Sequence, residues 1–568
     1  MSFNSYEFIF AFFPATLAGF LLLVIFGGRT AVISWLIFAS IAFYAIASVR
    51  SLLVIAPAVL LDYFIALTLL NDSHRRRLRL IVFSIGITAN IFTLGYFKYK
   101  NFFLDTINTT LNTNFELTQW ILPLGLSFIT FQKIAFLADV QSGQIKSVRF
   151  LDFLLFALFF PRTIAGPIIH YEDIVPQLTR TTWRETKTNV VVGGCLFTIG
   201  LFKKTVIADS LVSFVARTFD LPPSQSSHDL TMLTAWTGVW AYMFQLYFDF
   251  SGYSDMALGL ARIFGVKFPM NFNSPLRACS VLEFWNRWHI TLTRFLTAYI
   301  YTPIVLHLTR RRLAQNKPVM RGKRSSLSAI AVIVGVPTMI TMTISGFWHG
   351  AGWQFIVWGA LHGIYLTVNQ SWRLIRPRFW PDQVSYERIM NPLGFILTVG
   401  CVTIALVFFR ASSVTSGLSI LGAMAARNGI LPHYIQVIQQ YGGNLPWDVI
   451  VLIQPISPLI WIMVLFVSVT VLPNSLELLR RFQPALDFPE EPSEVTSPQR
   501  EPADPPTPYN GRTKSTTISK LHAAYSSIRD LRYEGVSLNP LTAALFGLLC
   551  FLAVAGLSRS DGFVYGQF

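Results

Sequence analysis

The sequence predicts an all-α polytopic membrane protein, a bundle of roughly a dozen transmembrane and re-entrant helices, on three observations. Of the 568 residues, 53% are hydrophobic and only 13% are charged, a balance that soluble chains of this size rarely show. Stretches of the roughly 20 mostly apolar residues that a spanning helix needs recur from one end to the other, instead of forming one anchor beside a polar domain. The formal charge of +16 sits in short loops between these stretches, where the positive-inside rule places lysine and arginine. The charge therefore reports topology and a lipid bilayer, and gives no support to a nucleic-acid partner.

In chain order the apolar windows lie near 8–28, 31–49, 51–70, 79–97, 119–139, 188–208, 232–248, 289–307, 328–346, 352–369, 392–409, 450–472 and 541–558. The first lacks a basic leader and a small-residue cleavage site, so it is expected to stay as a helix. Residues 150–169 are broken by Pro161, Gly166 and Pro167. Such backbone is tolerated at membrane depth only when buried in protein or lining a wet cavity, which predicts re-entrant pieces. The basic loops at His74–Arg79 and Arg310–Arg324 are assigned to the cytoplasm. Lys98 and Lys100 conflict with this: a full span after Arg79 would carry both to the far side, so either the rule is locally broken or the span does not cross fully.

From Pro484 to Pro508 the chain carries eight prolines among Glu, Ser, Thr and Asp, a composition that buries too little apolar surface to order itself. Three regions follow: a membrane domain over 1–480, a disordered cytoplasmic linker over 481–538, and a final helix with its tail over 539–568. No internal repeat of fixed period is visible. Cys195, Cys279, Cys401 and Cys550 are scattered, which predicts neither a disulfide framework nor a metal site.

Polar groups concentrate between Tyr247 and Trp288. Asp249, Ser251, Tyr253, Asp255 and Arg262 fall in one apolar segment, followed by Trp285, Asn286 and Arg287. Ionisable residues inside a membrane are costly and need partners. Asp255 and Arg262 are seven apart and share a helix face, so the arginine can lean back toward the carboxylate, and Asp249, Asp255 and Arg262 read as fold-holding groups. His349 stands in Ser345-Gly346-Phe347-Trp348-His349-Gly350 between apolar windows. A neutral imidazole there suits acyl transfer, since a hydroxyl is a poor nucleophile at neutral pH and a base with pKa near 7 activates it. The residues alone favour a core histidine bonded to a neighbouring carbonyl. His289 is a second candidate at a tryptophan-rich interface position. His170, His307 and His362 read as core or surface histidines. His289 and His349 are 60 positions apart with no third ligand at telling spacing, so no metal is expected.

These residues together resemble the membrane-bound O-acyltransferase family, in particular its bacterial branch of alginate O-acetyltransferases and teichoic acid D-alanyl transfer proteins. The resemblance runs through Leu122-Pro123-Leu124-Gly125-Leu126-Ser127-Phe128, Phe159-Phe160-Pro161-Arg162-Thr163-Ile164-Ala165-Gly166-Pro167, Tyr247-Phe248-Asp249-Phe250-Ser251-Gly252-Tyr253-Ser254-Asp255, Glu283-Phe284-Trp285-Asn286-Arg287-Trp288-His289 and Trp348-His349-Gly350. It covers most of 120–365 and implies a ring of helices around a central funnel in a bacterial inner membrane. His349 matches the family's principal catalytic histidine and His289 the second histidine of the branch. The donor implied is an acyl thioester, acetyl-CoA or an acyl carrier protein, with no tightly bound cofactor. The acceptor implied is a polysaccharide, reached with a periplasmic esterase-like acetyltransferase partner. The tail Phe563-Val564-Tyr565-Gly566-Gln567-Phe568 resembles a C-terminal motif whose tyrosine carries the acyl group, with Gly566 where that motif has an aromatic. Thr297-Ala298 before Tyr299 also departs from the branch, which bears on the acceptor or partner. Other readings are an acyltransferase acting on a lipid or protein within the membrane, a transporter or channel, and a catalytically idle scaffold.

Overall fold

The computed structural model describes all residues except 72–75, 118–121, 164–165, 179–182, 184, 221–229, 323–324, 431–455, 489–534, 538 and 560–568. Among the described residues it contains helices and no strands. The helices that build the site are α1 (Phe13–Phe26), α2 (Arg29–Leu70), α3 (Arg76–Leu94), α4 (Lys100–Leu111), α5 (Leu126–Ser142), α6 (Thr186–Phe202), α7 (Met232–Ile263), α8 (Val281–Arg287), α9 (Ile290–Leu296), α10 (Val336–His349), α11 (Trp353–Ile375), α12 (Gln383–Arg410) and α13 (Pro540–Ala555). Among the described residues six helical stretches are long and apolar enough to cross a membrane: Phe8–Phe26, Arg29–Leu70, Arg76–Leu111, Thr186–Phe219, Leu327–His349 and Gln383–Arg410. The protein is an all-α polytopic membrane protein, as the sequence predicts.

Local chemistry sets the breaks. α2 is two helices joined at Ser48 (φ −169°, ψ 105°), which divides it where the windows 31–49 and 51–70 meet. Its second half begins with Ser51, whose hydroxyl donates to Ser48 Oγ at 2.9 Å and accepts the Leu124 N–H at 2.9 Å. α13 opens on Asn539, which accepts the Thr542 N–H, with Pro540 in the first turn, a strong helix start. The broken segment after Phe150–Leu158 is buried, Phe160, Arg162, Thr163 and Ile168 included, so its irregular backbone lies inside protein.

α7 is the central helix. Every residue from Ala241 to Ile263 is buried, its ionisable groups included. It crosses α6 through two glycine pairs: a Cβ on Gly252 would lie 2.7 Å from Gly200 O, and one on Gly259 would lie 2.5 Å from Gly193 O. Small residues let membrane helices approach to backbone contact, and here they bring the lysines after α6 against the carboxylates of α7. Lys204 bonds Asp249 at 2.8 Å and Asp209 at 2.7 Å, and Lys203 bonds Asp255 at 2.7 Å. Asp255 is thus held by Lys203 from the neighbouring helix and not by Arg262. Arg262 donates instead to the Phe482 and Gln483 carbonyls at 3.4 and 3.5 Å. A carboxylate seven residues away on the same helix loses to a lysine that arrives at 2.7 Å from the facing one.

Candidate active site

α10 and α11 form an antiparallel hairpin turned by Gly350–Gly352. A Cβ on Gly346 would strike the Phe355 carbonyl, and one on Gly363 would lie 2.9 Å from the Met339 sulfur, so the two helices touch at their backbones. His349 is the last residue of α10. The final carbonyls of a helix have no intrahelical donor, and a cation is favoured beside them. Lys98 meets both needs: its ammonium donates to Trp348 O at 2.6 Å and His349 O at 3.0 Å. Tyr99 Oη adds a bond to Phe347 O at 3.0 Å. Both residues come from a π-bulge, Gly95–Tyr99, between α3 and α4, the kind of helix irregularity that often serves a functional site. The segment Arg76–Leu111 is accordingly one helical run, and Lys98, which reads as a topology violation in the sequence, is the clamp on the helix end that carries His349.

The His349 ring faces a small cavity of about 20 Å³, walled by Met243, Leu246, Trp285, His349, Trp358, His362 and Phe409 among others, with room for one water-sized group. Its ring packs against Trp358 at 5.0 Å and Phe409 at 5.2 Å. Trp285 Nε1 donates to His362 Nδ1 at 3.3 Å. Trp285 also walls a second cavity of about 240 Å³, with Asn286, Thr293, Thr297, Tyr301, Thr338, Thr341 and Gln370. One indole therefore stands between this second chamber and the histidine cavity.

His289 lies one layer behind. It is fully buried, caps α9 in the left-handed conformation (φ 43°), and pairs Nδ1 with Asn271 Oδ1 at 3.0 Å. The same oxygen accepts the Thr291 hydroxyl at 2.9 Å and the Thr291 N–H at 3.4 Å. Since a backbone N–H points at it, that atom is the amide oxygen, so Nδ1 of His289 carries the proton and Nε2 holds the lone pair. Phe250 packs edge-on against the ring at 4.8 Å. Phe128 stands 6.3 Å from His289 and 5.3 Å from Trp348.

The remaining sequence candidates divide by place. Trp348 stacks on Phe131 at 4.9 Å. Asp249 and Asp255 are in the lysine pairs, and Ser251 and Tyr253 are buried in α7, Tyr253 stacked on Phe3 at 4.9 Å. Arg287 pairs with Glu283 at 3.0 Å and donates to Asn273 O at 3.2 Å, away from either cavity. Tyr565, and residues 489–534 and 538 of the linker, lie outside the described residues. Sequence reasoning missed Lys98, Asn271, Trp358 and His362. Lys98 left a signal in its conflict with the charge rule. His362, on an apolar helix, left none.

The profile of MBOAT, membrane-bound O-acyltransferase family, matches residues 82–316. The chain is 36% identical to the peptidoglycan O-acetyltransferase of Helicobacter pylori, over 75% of this chain and 80% of that protein. It is 34% identical to the "Probable alginate O-acetylase" of Pseudomonas aeruginosa, over 73% of each. It is 28% identical to the teichoic acid D-alanyltransferase of Streptococcus thermophilus, over 50% of this chain and 68% of that one.

Proposed function

The chain belongs to the membrane-bound O-acyltransferase family, and on that premise we propose that it moves an acetyl group from a cytoplasmic thioester across the membrane for O-acetylation of a cell-surface polysaccharide. The observation that carries the reading is the clamped helix end: His349 is held by Lys98 and Tyr99 at the wall of a cavity sized for a reacting group. Three supports stand beside it. The 240 Å³ chamber behind Trp285 is walled by Leu282, Leu296, Met342 and Leu366 with the hydroxyl and amide groups of Asn286, Thr293, Thr338 and Gln370 among them, and a mainly apolar pocket with a few uncharged polar groups suits the amide-bearing arm of a thioester donor. Its walls lead along α11 to Arg373, Arg376 and Arg378, where Arg378 donates to Ser325 O at 2.6 Å, joining this end of α11 to the Arg310–Arg324 loop that the charge rule assigns to the cytoplasm. The relatives named as acetylating peptidoglycan and alginate point to a polysaccharide acceptor.

The chemistry is acyl exchange. The acceptor hydroxyl gives its proton to an imidazole nitrogen as its oxygen attacks the thioester carbon. The tetrahedral intermediate collapses, the C–S bond breaks, the C–O bond remains, and the proton passes to the departing thiolate. His349 is the base in this scheme. His289, with Nδ1 fixed on Asn271, presents its Nε2 lone pair as the second acceptor of a proton. Asp249, Asp255 and their lysines hold α7 in register behind the site.

The first acceptor is Tyr565, a phenol of pKa near 10, easier to deprotonate than an alkyl hydroxyl. It delivers the group to a separate periplasmic esterase-like protein in a bacterial inner membrane. The end of α13 is anchored at the α6 side of α7, where Thr205 Oγ1 donates to Ala553 O at 2.9 Å. Acetyl-CoA and an acyl carrier protein both fit as donors. The test is the O-acetyl content of surface polysaccharide in cells carrying only wild type or Tyr565→Phe. The proposal expects acetylation to disappear in the variant and acyl-Tyr565 to appear in wild-type peptides by mass spectrometry. Full acetylation with Tyr565→Phe removes the carrier step.

A further inference from the structure

We propose that His362 and Trp358 form an oxyanion-binding pair in the His349 cavity, donating their ring N–H groups to the carbonyl oxygen of the acyl thioester. The inference rests on the acyltransferase reading above and adds two residues to it. It begins with a tautomer. An indole N–H can only donate, so the Trp285 bond at 3.3 Å requires a lone pair on His362 Nδ1. In the neutral ring the proton is then on Nε2. Among the described residues no protein group accepts that N–H, although His362 is only 1% exposed. The Trp358 Nε1–H is buried without an acceptor, and Trp358 is 4% exposed.

The buried Trp358 donor without an acceptor is costly, on the order of 1–3 kcal/mol, and such a group calls for a ligand, an ion or a water. Both side chains stand on the wall of one cavity with room for a single oxygen-sized group. Trp358 is also the ring that His349 touches, 5.0 Å away, with His362 4.9 Å away on the same indole. Base and donors therefore converge on one small volume. A neutral imidazole is a competent donor to a developing oxyanion, and fixed N–H groups in a dry site stabilise charge that develops only in the transition state. No proton leaves His362 or Trp358 in the step. The hydroxyl proton goes to His349 and then to the thiolate, the C–S bond breaks and the C–O bond forms.

The test uses inverted membrane vesicles with acetyl-CoA, following released thiol for wild type, Trp358→Phe, His362→Leu, His362→Gln and His349→Ala at equal amounts of folded protein. Trp358→Phe keeps an aromatic ring and removes the N–H. The inference expects Trp358→Phe and His362→Leu each to lower kcat roughly 100-fold with KM little changed, and His362→Gln, which keeps an N–H donor, to stay within about tenfold of wild type. Rates within about threefold of wild type for both Trp358→Phe and His362→Leu overturn it and leave the acyltransferase reading in place. Equal loss in His362→Gln and His362→Leu also overturns it, since a donor would not be what matters. Wild-type activity in His349→Ala overturns the base assignment of the preceding proposal without touching the pair. A wild type that releases no thiol from acetyl-CoA, nor from an acetylated acyl carrier protein supplied in its place, overturns both.

Discussion

Replacing Lys98 with methionine is the sharpest perturbation the site offers, because it removes two bonds and one charge while nearly keeping the side-chain length. The ammonium donates at 2.6 and 3.0 Å to the carbonyls of Trp348 and His349. Hydrogen bonds to a charged group contribute about 1.5–3 kcal/mol each, and a cation at a helix C-terminus adds about 0.3–2 kcal/mol. Against this stands the relief of no longer desolvating a lysine, several kcal/mol. Tyr99 Oη, already 3.4 Å from Trp348 O, can take over part of one carbonyl. A net loss of about 3 kcal/mol at the helix end follows, and since about 1.4 kcal/mol is a factor of ten in population, the correctly placed His349 becomes roughly 100-fold rarer. Acyl-transfer rate in vesicles should fall by that factor in Lys98→Met. Tyr99→Phe, which loses one neutral bond worth about 1 kcal/mol, should cost roughly fivefold. A Lys98→Met enzyme within about threefold of wild type, or a Tyr99→Phe loss larger than that of Lys98→Met, would refute the clamp.

Neighbouring glycines of α6 should respond in opposite directions. A Cβ at Gly193 would strike the Gly259 carbonyl, whereas one at Gly194 meets nothing within 4 Å, so thermal unfolding of detergent-purified protein should show Gly193→Ala destabilised by about 1–3 kcal/mol. Gly194→Ala should be neutral or up to about 1 kcal/mol more stable. Lys204→Met strands Asp209 and Asp249, at a cost of about 3–5 kcal/mol, and folded yield by size exclusion should drop and recover in part when both aspartates become asparagine. Asn271→Leu removes the acceptor that fixes His289 and should slow transfer roughly tenfold or more, while Asn271→Asp, which keeps an acceptor, should retain most of the rate.

The sequence made the helical class legible because bilayer physics writes it in long apolar runs, and even the division of α2 near Ser48 appeared as two windows. The motifs singled out both His349 and Trp285, and the structure sets the two on one cavity wall. What stayed hidden depends on contacts between distant segments. Asp255 offered Arg262 on its own helix, while the true partner, Lys203, arrives from α6 through the Gly200–Gly252 crossing. Lys98 looked like the end of a span because a charge normally is one. Only the helix end carrying His349, some 250 residues later, supplies the carbonyls that keep it inside. His362 has no local mark at all, since its meaning comes from Trp285 and Trp358. The segment 72–75 and the tail from 560 lie outside the described residues, so the loop and Tyr565 expectations rest on sequence.

The central claim is that His349 is the base of an acyl transfer fed by a thioester. Radiolabelled acetyl-CoA supplied to inverted vesicles, with label followed into protein and polymer, tests it most directly when wild type is compared with His349→Ala at matched protein levels. The account predicts label with wild type and none above background with His349→Ala. Equal labelling by the two proteins would contradict it.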